Sequence, residues 1–83
     1  MDSYLNKLAK KLTTIKSEKE MSEFLNALLT PDELKTIPLR LEIVKLLKEG
    51  KTAQHEIAKK LKVGIATVTR GSRELKLNHF KNV

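Results

Sequence analysis

The stretch Gln54-His55-Glu56-Ile57-Ala58-Lys59-Lys60-Leu61-Lys62-Val63-Gly64-Ile65-Ala66-Thr67-Val68-Thr69-Arg70-Gly71-Ser72-Arg73-Glu74-Leu75 decides how this chain is read. Its apolar positions fall on one side at helical spacing, and its Thr, Arg and Lys positions fall on the other. Lys62-Val63-Gly64 breaks the pattern as a tight turn. Two short helices joined this way outline a helix-turn-helix, whose second helix enters the DNA major groove. Thr52 is placed to cap the first helix, over residues 53–61, with Ile57 and Leu61 inward. Ile65, Val68 and Leu75 mark the inward stripe of the second, over residues 65–77.

Further helices are expected upstream. Leu5, Leu8 and Leu12 recur at spacings of three and four, which predicts a helix over residues 2–13. Ser17-Glu18-Lys19-Glu20 reads as a capping box. It opens a helix carrying Met21, Phe24, Leu25, Leu28 and Leu29, an apolar face wide enough for burial on two sides. Thr30-Pro31-Asp32-Glu33 is a second start signal: Thr30 at N-cap, Pro31 at N1 and Glu33 at N3. The preceding helix therefore ends near Leu29. Pro38 lacks the amide hydrogen that the Leu34 carbonyl would accept, which predicts a kink or break. Helix resumes through Leu39, Ile43, Val44, Leu46 and Leu47 and stops at Gly50, a natural C′ residue. Residues 78–83 are too few and too polar to assign.

Composition narrows the class. A chain of 83 residues is expected to form a single domain over residues 1–83. A monomer of this size buries only about 60–65% of the surface its unfolded chain exposes. With no cysteine there is neither a disulfide nor a thiolate metal site to reinforce it. Pairing with a second copy is then a natural source of extra burial. No apolar run approaches the roughly 20 residues of a membrane span. Lys7, Lys10 and Lys11 interrupt any signal-peptide pattern, so a cytoplasmic protein is expected. The formal net charge is +7, and it is unevenly placed. Residues 1–50 carry nine Lys/Arg against eight Asp/Glu, whereas residues 51–83 carry eight against two. The basic excess sits on the helix-turn-helix and points to a polyanion, through counterion release at phosphates. The plain alternative is that lysines merely solvate a small protein.

Gln54, His55, Lys59 and Lys60 are placed for phosphate contact, and Gln54 also within reach of a base. Ala66, Thr67 and Thr69 lie opposite Val68. Alanine and threonine methyls suit thymine methyls, and a threonine hydroxyl suits either kind of base edge. Ile65 and Arg73 complete the DNA-facing candidates. A helical hairpin that only packs is the competing reading. Nothing supports an enzyme or a metal site: His55 and His79 lie in separate segments, no carboxylates are suitably paired, and no glycine-rich phosphate loop is present. The helix at 2–13 is basic and amphipathic enough for a membrane surface. Its length favours packing in a dimer instead, and no membrane partner is expected.

Leu29-Thr30-Pro31-Asp32-Glu33, Arg40, the block Gly64-Ile65-Ala66-Thr67-Val68-Thr69-Arg70-Gly71-Ser72 and Leu75-Lys76 together resemble the tryptophan repressor family, without gaps, over residues 25–77. The resemblance implies an all-α, intertwined helical homodimer that binds a palindromic double-stranded DNA operator, with L-tryptophan as corepressor. It implies that Arg40 and Arg70 sandwich the indole. Arg70 would also bind the ligand carboxylate, helped by Thr30 of the partner subunit. Backbone carbonyls at Ala27 and Leu29 would take the ammonium, and Gly71 would leave room for the ring. Elementary chemistry agrees, because a guanidinium plane over an indole face contributes about 0.5–2 kcal/mol. Each residue also has a simpler reading: Arg40 in an ion pair, Thr30 as a cap, Gly71 as a point of close helix packing.

Several residues depart from the family pattern. Glu74 stands where the family usually has a ligand-contacting serine. It is four residues after Arg70 on one helix face, so the two are expected to be able to pair. Glu74 would then either hold the ligand ammonium or occupy Arg70 in place of the ligand carboxylate. The second case implies weaker tryptophan binding, a different effector, or none. Lys62 takes a turn position that often needs positive φ. Ala58 replaces a lysine that the family can turn toward DNA, and Ala53 replaces a serine cap, so that Thr52 could shift the helix start. Pro38 falls within a continuous family helix. The family's last helix has little counterpart after Leu77, leaving some dimer contacts missing or made otherwise. The expected function is a homodimeric repressor of tryptophan biosynthesis or uptake genes. A regulator with no effector or another one is the first alternative, and a helical protein–protein assembly module is the second.

Overall fold

The structure, a computed structural model, describes residues 3–83. Five helices and no strand are found there: α1 (Tyr4–Thr14), α2 (Glu18–Leu28), α3 (Pro31–Glu49), α4 (Gln54–Leu61) and α5 (Ile65–Lys76). The all-α class is as the sequence predicts. The described residues gather into two compact units, one ending at Leu34 and the other spanning Lys35–Val83.

In the first unit, polar side chains set the helix starts. Ser3 caps α1, its Oγ accepting from the Asn6 amide at 3.1 Å. The expected start of that helix at Asp2 lies outside the described residues. Ser17 Oγ accepts from the Glu20 amide at 2.9 Å. At Thr30 both halves of a capping box form: the Glu33 amide donates to Thr30 Oγ1 at 3.2 Å, and the Thr30 amide donates to Glu33 Oε1 at 2.9 Å. No residue of α1 or α2 is buried, and Tyr4, Leu5 and Leu28 stand exposed.

The second unit holds the core. Ile43 and Leu46 of α3 meet Ile57 and Ala58 of α4 and Val68 of α5, with Leu47, Leu61 and Val63 packed around them. Ala58 is therefore an interior residue, which accounts for its small side chain. Left-handed residues end all three helices of this unit: Gly50 (φ 71°), Lys62 (φ 56°) and Asn78 (φ 64°). After α4 the Val63 amide reaches back to the Ala58 carbonyl at 3.0 Å, and after α5 the His79 amide reaches the Glu74 carbonyl at 3.1 Å. These 6→1 bonds are the signature of a Schellman ending, which satisfies carbonyls that the helix leaves bare.

Three expectations need correction. Of the kink or break expected at Pro38, the break does not occur, and α3 is one helix from Pro31 to Glu49. A proline removes one backbone bond and crowds one carbonyl, at a cost of about 3 kcal/mol. The closed capping box before it and the buried Ile43, Val44 and Leu46 after it offset that loss. Thr52 does not cap α4. The N-cap is Ala53, with no side-chain bond, and the Glu56 and Ile57 amides close on its carbonyl at 3.0 Å. Ile65 is not part of the inward stripe. It opens α5 and is 50% exposed, because the first residue of a helix has packing partners on one side only.

Candidate nucleic-acid and effector sites

Helices α4 and α5 carry the DNA-facing candidates. Gln54 is half-buried at the start of α4, and its Oε1 accepts a hydrogen bond from Thr69 Oγ1 at 3.3 Å. That contact ties the first residue of one helix to the second turn of the other. His55, Lys59 and Lys60 are exposed on α4, and Ile65, Ala66, Thr67, Thr69 and Arg73 are exposed on α5. The Ala66, Thr67 and Thr69 side is thus presented to solvent. Neither helix is capped by a side chain, so first-turn amides at both N-termini lack that partner and suit an anion.

Behind this surface lies a cavity of about 360 Å³, counting its open mouth, lined by Arg40, Ile43, Val44, Thr67, Arg70, Gly71, Glu74 and Phe80. Four residues read from the sequence as ligand contacts therefore meet at one place. Arg40 belongs to α3, while Arg70 and Gly71 come from one turn of α5 and Glu74 from the next. Gly71 also sits where α5 runs close to α3. A Cβ there would lie 3.2 Å from Ile43 Cγ2 and 3.6 Å from Leu47 Cδ1. Close packing and cavity space thus depend on the same missing side chain. Ala27 and Thr30 are exposed, and Leu29 is half-buried at the end of α2. All three belong to the first unit, and none is among the lining residues.

The expected Arg70–Glu74 pair is absent among the described residues. Glu74 Oε2 pairs instead with His79 Nδ1, beyond the end of α5. The Schellman ending makes this possible, because it turns the chain back by one residue more than a helical step. A carboxylate can only accept, so Nδ1 carries the hydrogen. The hydrogen bond from His79 holds the Glu74 carboxyl below its ordinary range, with smaller help from the charges of His79, Arg70 and Arg73. Neither Arg40 nor Arg70 has a carboxylate within ion-pair distance among the described residues.

Sequence reasoning missed Phe80, and it read Ile43 and Val44 as core alone. The tail folds back: Lys48 Nζ donates to the Phe80 carbonyl at 2.9 Å and also to the Val83 carbonyl. The one signal in the sequence is a lone aromatic within the polar run Asn78–Val83.

The family model described as "Trp repressor protein" matches residues 3–81. The chain belongs to the Trp repressor family. It is 47% identical over 60 residues to a Trp operon repressor homolog of Vibrio vulnificus (strain YJ016), covering 72% of this chain and 59% of that protein. A Trp operon repressor homolog of Actinobacillus succinogenes is 43% identical over 72 residues, covering 87% of this chain and 71% of the relative. One from Mannheimia succiniciproducens is 51% identical over 55 residues, covering 66% and 54%. The match thus spans little more than half of some relatives' length. No solved structure matches this Trp repressor family chain significantly. Among the described residues no helix is long and apolar enough to cross a membrane, and no three His, Asp or Glu gather as metal ligands.

Proposed function

We propose that this chain is a homodimeric, sequence-specific DNA-binding repressor with L-tryptophan as its corepressor, acting on genes of tryptophan biosynthesis or uptake. The observation that carries the reading is the convergence of Arg40, Arg70, Gly71 and Glu74 on one cavity directly behind the exposed face of α5. Two guanidiniums with no carboxylate within ion-pair distance among the described residues suit a ligand carboxylate and a flat ring face. Glu74 suits a ligand ammonium. Thr30, Ala27 and Leu29 of the partner subunit would complete the site in the dimer. Exposed Tyr4, Leu5, Leu28, Ile37 and Leu41 supply apolar surface for that partner. The protein's part is to fix the tilt of α5. Ligand shifts that tilt only by its differential affinity for the two orientations, and the DNA-competent one sets two α5 helices about 34 Å apart.

The alternative without an effector drew on Arg70 being occupied by Glu74. His79 takes that carboxylate here, which favours the corepressor reading. Fluorescence anisotropy of a palindromic operator-like duplex tests it. L-tryptophan is expected to tighten binding by the wild-type protein and to have no effect on Arg70→Ala. A response kept by Arg70→Ala would contradict the assigned pocket. Absence of DNA binding at low salt would favour the assembly module.

A further inference from the structure

The 77–83 turn is held more firmly than a polar tail requires. Asn78 in the left-handed region, the His79–Glu74 pair and the Lys48 ammonium on two tail carbonyls fix the chain on both sides of Phe80. Ordering a segment of this length opposes folding by about 1–2 kcal/mol per residue. Core packing does not explain where the ring goes. Among the described residues Phe80 is half-buried, and it is not one of the partly buried apolar side chains packed on the Ile43–Ile57–Val68 cluster. It lines the cavity that Arg40, Arg70 and Glu74 share.

We propose that Phe80 is a specificity-determining residue of this cavity, and that Lys48 is the positioning residue that keeps it there. The cavity otherwise offers two cations, one carboxylate and the aliphatic edges of Ile43 and Val44. Those groups select an amino-acid zwitterion, and the two guanidiniums favour a flat side chain through its faces. An aromatic wall strengthens that preference from a third side, since ring pairs contribute beyond their buried area. The favoured ligand class is an amino acid with a flat aromatic side chain. This inference rests on the effector reading above and adds the residue that discriminates.

Calorimetry with L-tryptophan and L-leucine on the full chain tests it. Phe80→Ala is expected to weaken L-tryptophan binding about 3- to 10-fold, from the worth of one aromatic pair. It should weaken L-leucine binding by less, so that the ratio of the two affinities falls. Phe80→Tyr should restore the preference. Lys48→Met should reproduce the loss, and Lys48→Arg should largely recover it. Far-UV circular dichroism checks that each variant folds. Wild-type preference kept by Phe80→Ala overturns the inference and leaves the effector reading standing. Failure of the wild-type protein to bind L-tryptophan at all overturns both.

Discussion

Lys62 sits at φ 56° and ψ 45°, where a Cβ crowds the backbone. Glycine at the same position would relieve that crowding, so Lys62→Gly should raise stability by about 1 kcal/mol, read as a higher urea midpoint at constant m-value. An unchanged or lower midpoint would mean that the lysine side chain makes a compensating contribution. The need for positive φ here is legible in the sequence, because a turn of this kind demands it whatever residue is present. The partner of Glu74 is not legible in the same way. Arg70 satisfies the i,i+4 rule, but that rule describes a helix that continues. Here the helix ends two residues after Glu74, and the left-handed Asn78 precedes His79, which reaches the carboxylate. Local spacing fails where backbone handedness changes.

Among the elements, α3 begins most firmly. The Thr30 N–H and hydroxyl hold the Glu33 carboxyl below its ordinary value. A carboxyl lowered on folding contributes stability above its unfolded pKa and loses it as pH falls through the folded one. The Glu74 carboxyl, lowered by His79, has the same sign. Stability of the wild-type protein should therefore decline as pH falls below the ordinary carboxylate range, and Glu33→Gln should flatten that decline in urea titrations at several pH values. Thr30→Ala should cost about 1 kcal/mol at neutral pH, the usual worth of an N-cap. Caps of this kind are readable because donor and acceptor lie three residues apart on one segment. Pro38 and Thr52 misled for the complementary reason. A proline breaks an isolated helix, yet buried side chains further along α3 hold this one together. A threonine one position early cannot cap a helix whose start is fixed by the packing of Ile57 and Ala58.

For the whole molecule, charge and exposed apolar surface give separate tests of DNA binding and of pairing. Operator affinity should fall steeply with salt, and the slope should drop by about one for each phosphate contact removed when Lys60 becomes Ala. A salt-independent affinity would argue against phosphate engagement. Sedimentation should show a dimer, with unfolding that shifts to higher temperature as protein concentration rises. Much of this level was legible: the basic half, the helix-turn-helix and four residues of the cavity were all readable from the sequence. The place of Phe80 in the cavity lining was not, because it accompanies a contact that Lys48 makes across more than thirty residues of chain. Thr67 has a further use. Its side chain borders the Arg40–Arg70 cavity on one side and stands exposed on the other, on the face proposed to meet DNA. A carbon-13 label in its methyl group would place a single NMR resonance between the proposed effector and operator sites, so one spectrum would report on both proposals.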